Sequence, residues 1–265
     1  MAHVSDEIRR LAEDPDAAFP EPPGPARTIR SRAYVLGLSP SLAQSLVSAV
    51  RTTEGALDGI LAEVRGHLRA AKYTRSVWSV GPSSRPAGLA ELLAARGFSP
   101  PKEPPYEPEL TAMALVRPPP PAPPGIEARR VRDYDEYLAT MRIAVTMMGG
   151  DTDTAAWLAA APELWKHPSG IARHTHAAFA DGKMIGFGWA GPSPAGIMLA
   201  GSSVLPEARG RGAYRALVAA RWATAVSLGT PALAIQAGAM SRPVLQRCGF
   251  EELCRIAVLQ DPEVK

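Results

Sequence analysis

The sequence predicts an α/β protein with a mixed, layered sheet, arranged as two similar halves, and three observations lead there. Strand-like and helix-like segments alternate through 126–259 in an order that needs a crossover helix between parallel strands. A helical pattern ending in Gly-Phe shortly before a strand occurs twice, as LLAARGF over 92–98 and VLQRCGF over 244–250. Between them lies a run of prolines, RPPPPAPPG, over 117–125.

In the first half, the opening MAHVSDEIRRLAEDPD is polar and acidic, unlike the basic-then-apolar pattern of an export signal. Residues 18–25 are proline-rich and read as a loosely ordered entry. A stretch at 111–116, TAMALV, reads as a strand following the first Gly-Phe. The prolines of 117–125 fix φ and remove amide donors, so this stretch is expected to be an extended, semi-rigid spacer. The expected division is therefore a first domain over 1–117, a linker over 118–125 and a second domain over 126–265.

The second half parses more fully. A strand at 126–130 precedes a helix at 133–148, with apolar spacing at Tyr137, Met141 and Val145. A Gly-Gly-Asp turn leads to a second helix at 155–165. Strands at 176–180 and 184–189 flank Asp181-Gly182, a hairpin signal. A third strand at 196–205 runs into a glycine-arginine loop and a long helix at 213–228. A strand at 233–236, a short helix at 240–248 and a last strand at 253–259 complete the order. Gly249 is expected to end the short helix, with Phe250 packed beneath the sheet.

Composition narrows the function. The chain is 46% hydrophobic and 21% charged, as in soluble globular proteins. Net charge is only +3 and aromatic residues make up 6%, with no basic stripe interleaved with aromatics, so nucleic acid is not an expected partner. No apolar run approaches the roughly 18–20 residues of a membrane span. The two cysteines, Cys248 and Cys254, have no metal-type spacing and form no disulfide framework, which fits a reducing cytoplasm. His174 and His176 would share one strand face. Without a third ligand at a sensible spacing they read as surface or pocket-rim residues, and no metal is expected.

The most informative stretch is VLPEARGRGAY over 204–214. A strand meets a proline, then a Gly-Arg loop opens directly into the long helix. Such a junction points free backbone N–H groups at one place, and the helix dipole adds positive charge there. Gly210 and Gly212 allow close approach, while Arg209, Arg211, Arg215 and Arg221 supply basic charge. The arrangement suits a diphosphate. It lacks the G-x-G-x-x-G of dinucleotide folds and the G-K-[ST] of a P-loop.

This loop, with the helix and Gly-Phe element of SRPVLQRCGFEEL over 241–253, resembles the GCN5-related N-acetyltransferase (GNAT) family, and the element order matches that fold across 126–259. The resemblance implies two tandem GNAT-like domains, the first degenerate because it has only RTTEGAL over 51–57 where the loop would fall. The repeated Gly-Phe is compatible with duplication or with coincidence. The resemblance also implies acetyl-CoA or another acyl-CoA as co-substrate. Ser203 and Val204 would present backbone groups to it, and Arg209, Gly210, Arg211, Gly212, Ala213 and Tyr214 would hold its diphosphate. The acceptor would be an amine of a small molecule or peptide, with a non-catalytic acyl-CoA-binding module as the alternative. A homodimer remains one open arrangement.

Both usual catalytic groups are missing. The strand at 197–204, IMLAGSSV, carries no carboxylate, and Leu245 occupies the position of the family's tyrosine. Substitutes are Ser202, with Ser203, holding a relay water, and Ser241, Tyr214 or Cys248. Tyr214 itself departs from the family's Gly or Ala and is expected to pack on the sheet, as Cys248 is expected to behave as a buried hydrophobe. Asp151 and Asp153 are expected either to border the acceptor or to cap the helix at 155.

Overall fold

Among the described residues, eleven strands join edge to edge into a single mixed sheet. The computed structural model describes residues 3–18, 27–39, 44–102, 106–148, 154–167 and 171–264. The proline-rich entry from residue 19 on, and both Asp151 and Asp153, lie outside the described residues.

In chain order the elements are α1 (Asp6–Glu13), α2 (Pro15–Ala18), β1 (Arg27–Arg30), β2 (Val35–Ser39), β3 (Gln44–Ser48), α3 (Leu57–Ala70), β4 (Ser76–Val80), α4 (Leu89–Ala94) and β5 (Glu109–Leu115). The second half contributes β6 (Ile126–Arg130), α5 (Tyr134–Met148), α6 (Thr154–Lys166), β7 (His176–Ala180), β8 (Lys183–Ser193), β9 (Gly196–Val204), α7 (Ala213–Ser227), β10 (Leu233–Ala237), α8 (Arg242–Arg247) and β11 (Glu251–Gln260). No described helix is long and apolar enough to cross a membrane.

The spatial order is β1-β2-β3-β4-β11-β5-β10-β9-β8-β7-β6. The last strand of each half therefore lies among the strands of the other. β5 is antiparallel to β10 on one side and β11 on the other, while β11 pairs with β5 and β4. This double pairing explains why β11 is longer than the 253–259 expected.

Alternation along the strands assigns the faces. Ala112, Ala114, Met198 and Ala234 pack with Ile8, Leu11 and Ala12 of α1. Their neighbours Met113, Leu115, Ile197, Leu199, Leu233 and Ile235 pack on the opposite face with Val218 of α7 and Leu245 beside Phe250. Helices α5 and α6 share the α1 face, since Ala177 packs with them and Ala178 packs with α7. The acidic opening of the chain concealed α1, whose polar face is exposed while Ser5 accepts the Ile8 N–H at 3.4 Å.

The Gly-Phe elements end their helices in the same way. Gly249 has φ +94° and the Phe250 N–H returns to the Leu245 carbonyl, while Gly97 has φ +87° and the Phe98 N–H returns to the Leu93 carbonyl. Both phenylalanines are buried. The proline run at 118–123 forms neither helix nor strand and turns into β6 through Gly125, whose φ is +77°.

Candidate functional site

The site begins with two strands that separate. β9 and β10 run parallel but pair only at Ile197 with Leu233 and at Met198 with Ala234. From Leu199 to Val204 the edge of β9 that faces β10 has no strand partner, although its other edge stays paired with β8. The cause is local. The register with β8 passes from Ala200–Trp189 to Ser202–Gly188, so Gly201 is a bulge. A Cβ there would lie 2.9 Å from the Trp189 ring, which only glycine avoids. A glycine inside an apolar strand was the available signal.

Beyond the opening, β9 runs into a 3-10 turn, Pro206–Ala208, and then the loop. Gly210 and Gly212 take φ +77° and +87°. Gly212 is the N-cap of α7, and no side chain caps the helix. The first backbone bond of the helix joins the Ala216 N–H to the Gly212 carbonyl at 3.0 Å. The amides of Ala213, Tyr214 and Arg215 are therefore left at the positive pole, with no capping group among the described residues. Pro123 of the linker abuts Gly212 from outside, since a Cβ there would meet its Cγ at 2.7 Å.

The basic residues divide by direction. Arg209 is exposed, its Nε donating to the Val204 carbonyl at 3.4 Å. Arg211 is exposed and stands 3.9 Å from Asp181. Arg215 is half-buried, and its Nε has no hydrogen-bond partner. Arg221 corrects the expectation of a surface cluster. It is fully buried, because four residues beyond Leu217 and three beyond Val218 it falls on the inner face of α7.

Ser203 is half-exposed and pairs in register with Phe187. Ser202 turns towards α7, where its Oγ accepts from Arg221 at 3.0 Å. Val204 packs against the α7 cluster. Tyr214 packs beside Leu245 and Cys248, and burial raises its pKa. Ser241 donates to the Gly238 carbonyl at 3.3 Å. The Cys248 thiol is 2% exposed and burial pushes its pKa up, so it is a core residue.

The two histidines do not share a strand face. His174 ends a 3-10 turn, Ile171–His174, and His176 is buried rather than at a rim. It is held between the His174 carbonyl and Thr224 Oγ1, each at 2.9 Å, and burial lowers its pKa to about 3. No group of His, Cys, Asp or Glu among the described residues could hold a metal ion.

One carboxylate at the site had no sequence signal. Because β5 lies beside β10, the segment before it crosses the C-terminal end of β10. There Glu107 accepts the Ala239 N–H at 2.7 Å, and its carboxylate fills the space a side chain at Gly238 would need.

The corresponding place in the first half is closed. β3 and β4 run parallel, and beyond their ladder Arg51 and Arg85 form a further bridge. Asp14 accepts the Ala49 N–H at 3.1 Å and pairs with Arg51 at 2.7 Å. Glu54 and Asp58 lie at the start of α3, where an anion would need positive charge. Of the two equivalent places, the one between β9 and β10 suits a diphosphate ligand with an extended arm.

This architecture, a mixed sheet parted between parallel strands in front of an uncapped helix, defines an α/β protein of the GNAT fold. Residues 140–250 match the model of the Acetyltransferase (GNAT) family. Among solved structures it is similar to a GCN5-related N-acetyltransferase from Kribbella flavida, at 18% identity and TM-score 0.64, covering 89% of this chain and 90% of that one. A tandem GNAT protein from the clavulanic acid biosynthesis pathway aligns at 17% identity and TM-score 0.61, over 98% of this chain and 89% of the other. A GCN5-related N-acetyltransferase from Sphaerobacter thermophilus aligns at 18% and 0.61, over 86% and 76%. At these identities the likeness is one of fold. No curated protein matches the chain.

Proposed function

We propose that the protein is an acyl-CoA-dependent N-acyltransferase that moves an acetyl or short acyl group to an amine of a small molecule or peptide by direct transfer. The observation that carries this reading is the open edge of β9 leading straight to the uncapped start of α7. When bound, the acyl-CoA supplies an activated thioester. The amides of the loop and of the first turn of α7, with Arg209 and Arg211, would hold the diphosphate. Backbone groups of Ser203 and Val204 would pair with the extended arm, and the Val204 N–H would polarise the acyl carbonyl. Glu107, at the end of β10, would hold the acceptor's ammonium group and take its proton.

Titration calorimetry with acetyl-CoA, followed by thiol release across a panel of amines, tests the proposal. One equivalent per chain is expected, because the first half's counterpart is closed. Absence of binding would overturn it. A specific observation favours a second reading, a non-catalytic acyl-CoA-binding regulatory module. Leu245, in the place of the family's tyrosine, is completely buried in the core and serves packing alone. Binding without thiol release for any amine would support that module instead.

A further inference from the structure

Arg221 is a charge in a place that disfavours one. It is 0% exposed, and no carboxylate among the described residues forms an ion pair with it. Nε donates to the Leu217 carbonyl at 3.1 Å, and Nη2 has no hydrogen-bond partner. An apolar side chain of similar volume would fill the same space without burying a cation or leaving a donor unmade. Stability alone therefore does not account for an arginine here.

What the guanidinium holds does account for it. Nη1 donates to the Trp189 carbonyl of β8 at 3.4 Å and to Ser202 Oγ of β9 at 3.0 Å. Ser202 Oγ in turn donates to the Ala200 carbonyl at 3.4 Å, across the bulged Gly201. Trp189 pairs with Ala200 and Gly188 with Ser202, so these contacts fall on the last pair before the bulge and the first pair after it. Gly188 leaves the room, since a Cβ there would lie 2.6 Å from Nη1 and 2.9 Å from Ser202 Oγ. The bulge lies within 199–204, the stretch whose other edge is open towards β10. Arg221 belongs to α7, about 12 Å along the axis from Ala213. The helix whose first amides are uncapped is thus also the one that grips the bend in β9.

We propose that Arg221 is a positioning residue for the coenzyme. Through Trp189 and Ser202 it fixes the bulge at Gly201, and with it the spacing between the open edge of β9 and the start of α7. This rests on the acyl-CoA reading above, and Arg221 itself touches no ligand. A coenzyme that spans both places binds tightly only while the edge that pairs with its arm and the amides that hold its diphosphate keep one spacing. A buried fork with fixed contacts to both strands sets that spacing more rigidly than packing does. Without it, Ser202 and the Trp189 carbonyl lose a charged donor, the bend at Gly201 relaxes, and Ser203 and Val204 turn out of line.

Acetyl-CoA titrated by calorimetry is the probe, so the acceptor need not be known. Arg221→Met keeps apolar bulk and removes the donors, while Arg221→Lys keeps a charged donor. A role in packing alone favours Arg221→Met, whereas a role in positioning favours Arg221→Lys. Affinity should fall about tenfold or more in Arg221→Met and stay within about threefold of wild type in Arg221→Lys. Ser202→Ala, which removes only a hydroxyl, should weaken binding about threefold to tenfold. Adding it to Arg221→Met should cost little more, because one side chain acts through the other. Undiminished affinity in Arg221→Met, an Arg221→Lys that binds no better than Arg221→Met, or additive losses from the two positions would overturn the proposal. If neither arginine variant folds, Ser202→Ala decides alone, and wild-type affinity in it would overturn the proposal. A wild type that fails to bind acetyl-CoA would sink the acyl-CoA reading and this inference with it. Equal binding by wild type and Arg221→Met would remove this inference only.

Discussion

Replacing Gly212 with alanine separates two demands that the structure makes on the loop. The backbone there is left-handed, with φ +87°, which costs a residue with a Cβ about 1–2 kcal/mol. The new methyl would also meet Pro123 Cγ at 2.7 Å. Since carbon contacts settle near about 3.5–4.0 Å, the linker must retreat by roughly 1 Å. Overpacking of this kind adds about 1–2 kcal/mol at a half-buried site. Gly210→Ala is the internal control, because its φ of +77° carries the same backbone strain while nothing stands near its Cβ. At about 2 °C per kcal/mol for a chain of this size, Gly210→Ala should melt roughly 2–4 °C below wild type and Gly212→Ala roughly 4–8 °C below. Pro123→Ala in the Gly212→Ala background should restore the difference, giving a coupling of about 1 kcal/mol in a double-mutant cycle. Calorimetry on the same proteins should show acetyl-CoA affinity falling about tenfold or more in Gly212→Ala as the first amides of α7 shift. Equal melting losses for both glycines, with strict additivity in the cycle, would refute the contact between linker and loop.

Three further outcomes are expected. Arg209→Ala removes an exposed charge beside the loop and should weaken acetyl-CoA binding about tenfold at low salt, with a smaller loss at high salt; unchanged calorimetric affinity would count against its role. Leu245→Tyr forces a phenol into a site that is 0% exposed and should cost about 1–3 kcal/mol in denaturant melts, whatever it does to turnover. His176 stays neutral in the fold down to about pH 3, whereas the unfolded chain protonates it near its ordinary value. Between those limits the unfolded state binds more protons, so stability is complete above about pH 6.5 and falls as pH drops, by roughly 1.4 kcal/mol per unit. His176→Gln should flatten that slope between about pH 6.5 and 4.5, and an unaltered slope would remove His176 as its source.

The second half was legible because its signals are local. The Asp181-Gly182 hairpin, the glycine-arginine loop and the Gly249-Phe250 ending each sit within a few residues of the structure they produce. Asp133, expected within the helix, precedes α5, where its carboxylate accepts the Glu136 N–H at 2.9 Å. What stayed hidden was made by distance. β5 and β10 share a ladder across more than a hundred residues, and no feature of TAMALV announces that partner. Glu107 comes beside Gly238 and Ala239 only as a result of that pairing, so its position could not be read locally. Arg221 was legible in principle. Helical period places it on the apolar face of α7 with Leu217 and Val218, and that position, not its charge, decides its burial.

The interleaving of β5 and β11 also decides when this protein can fold. β5 is made first, and both of its ladder partners, β10 and β11, follow it by more than a hundred residues. Until then the nascent first half carries an apolar strand with two open edges, the form of segment most prone to pair with the wrong chain. Severing the polypeptide at the prolines would leave each fragment without the strand that the other half inserts into its sheet, so the halves should regain solubility only when made together. A gene arrangement that supplied them as separate products would have to ensure that they meet while both are still incomplete.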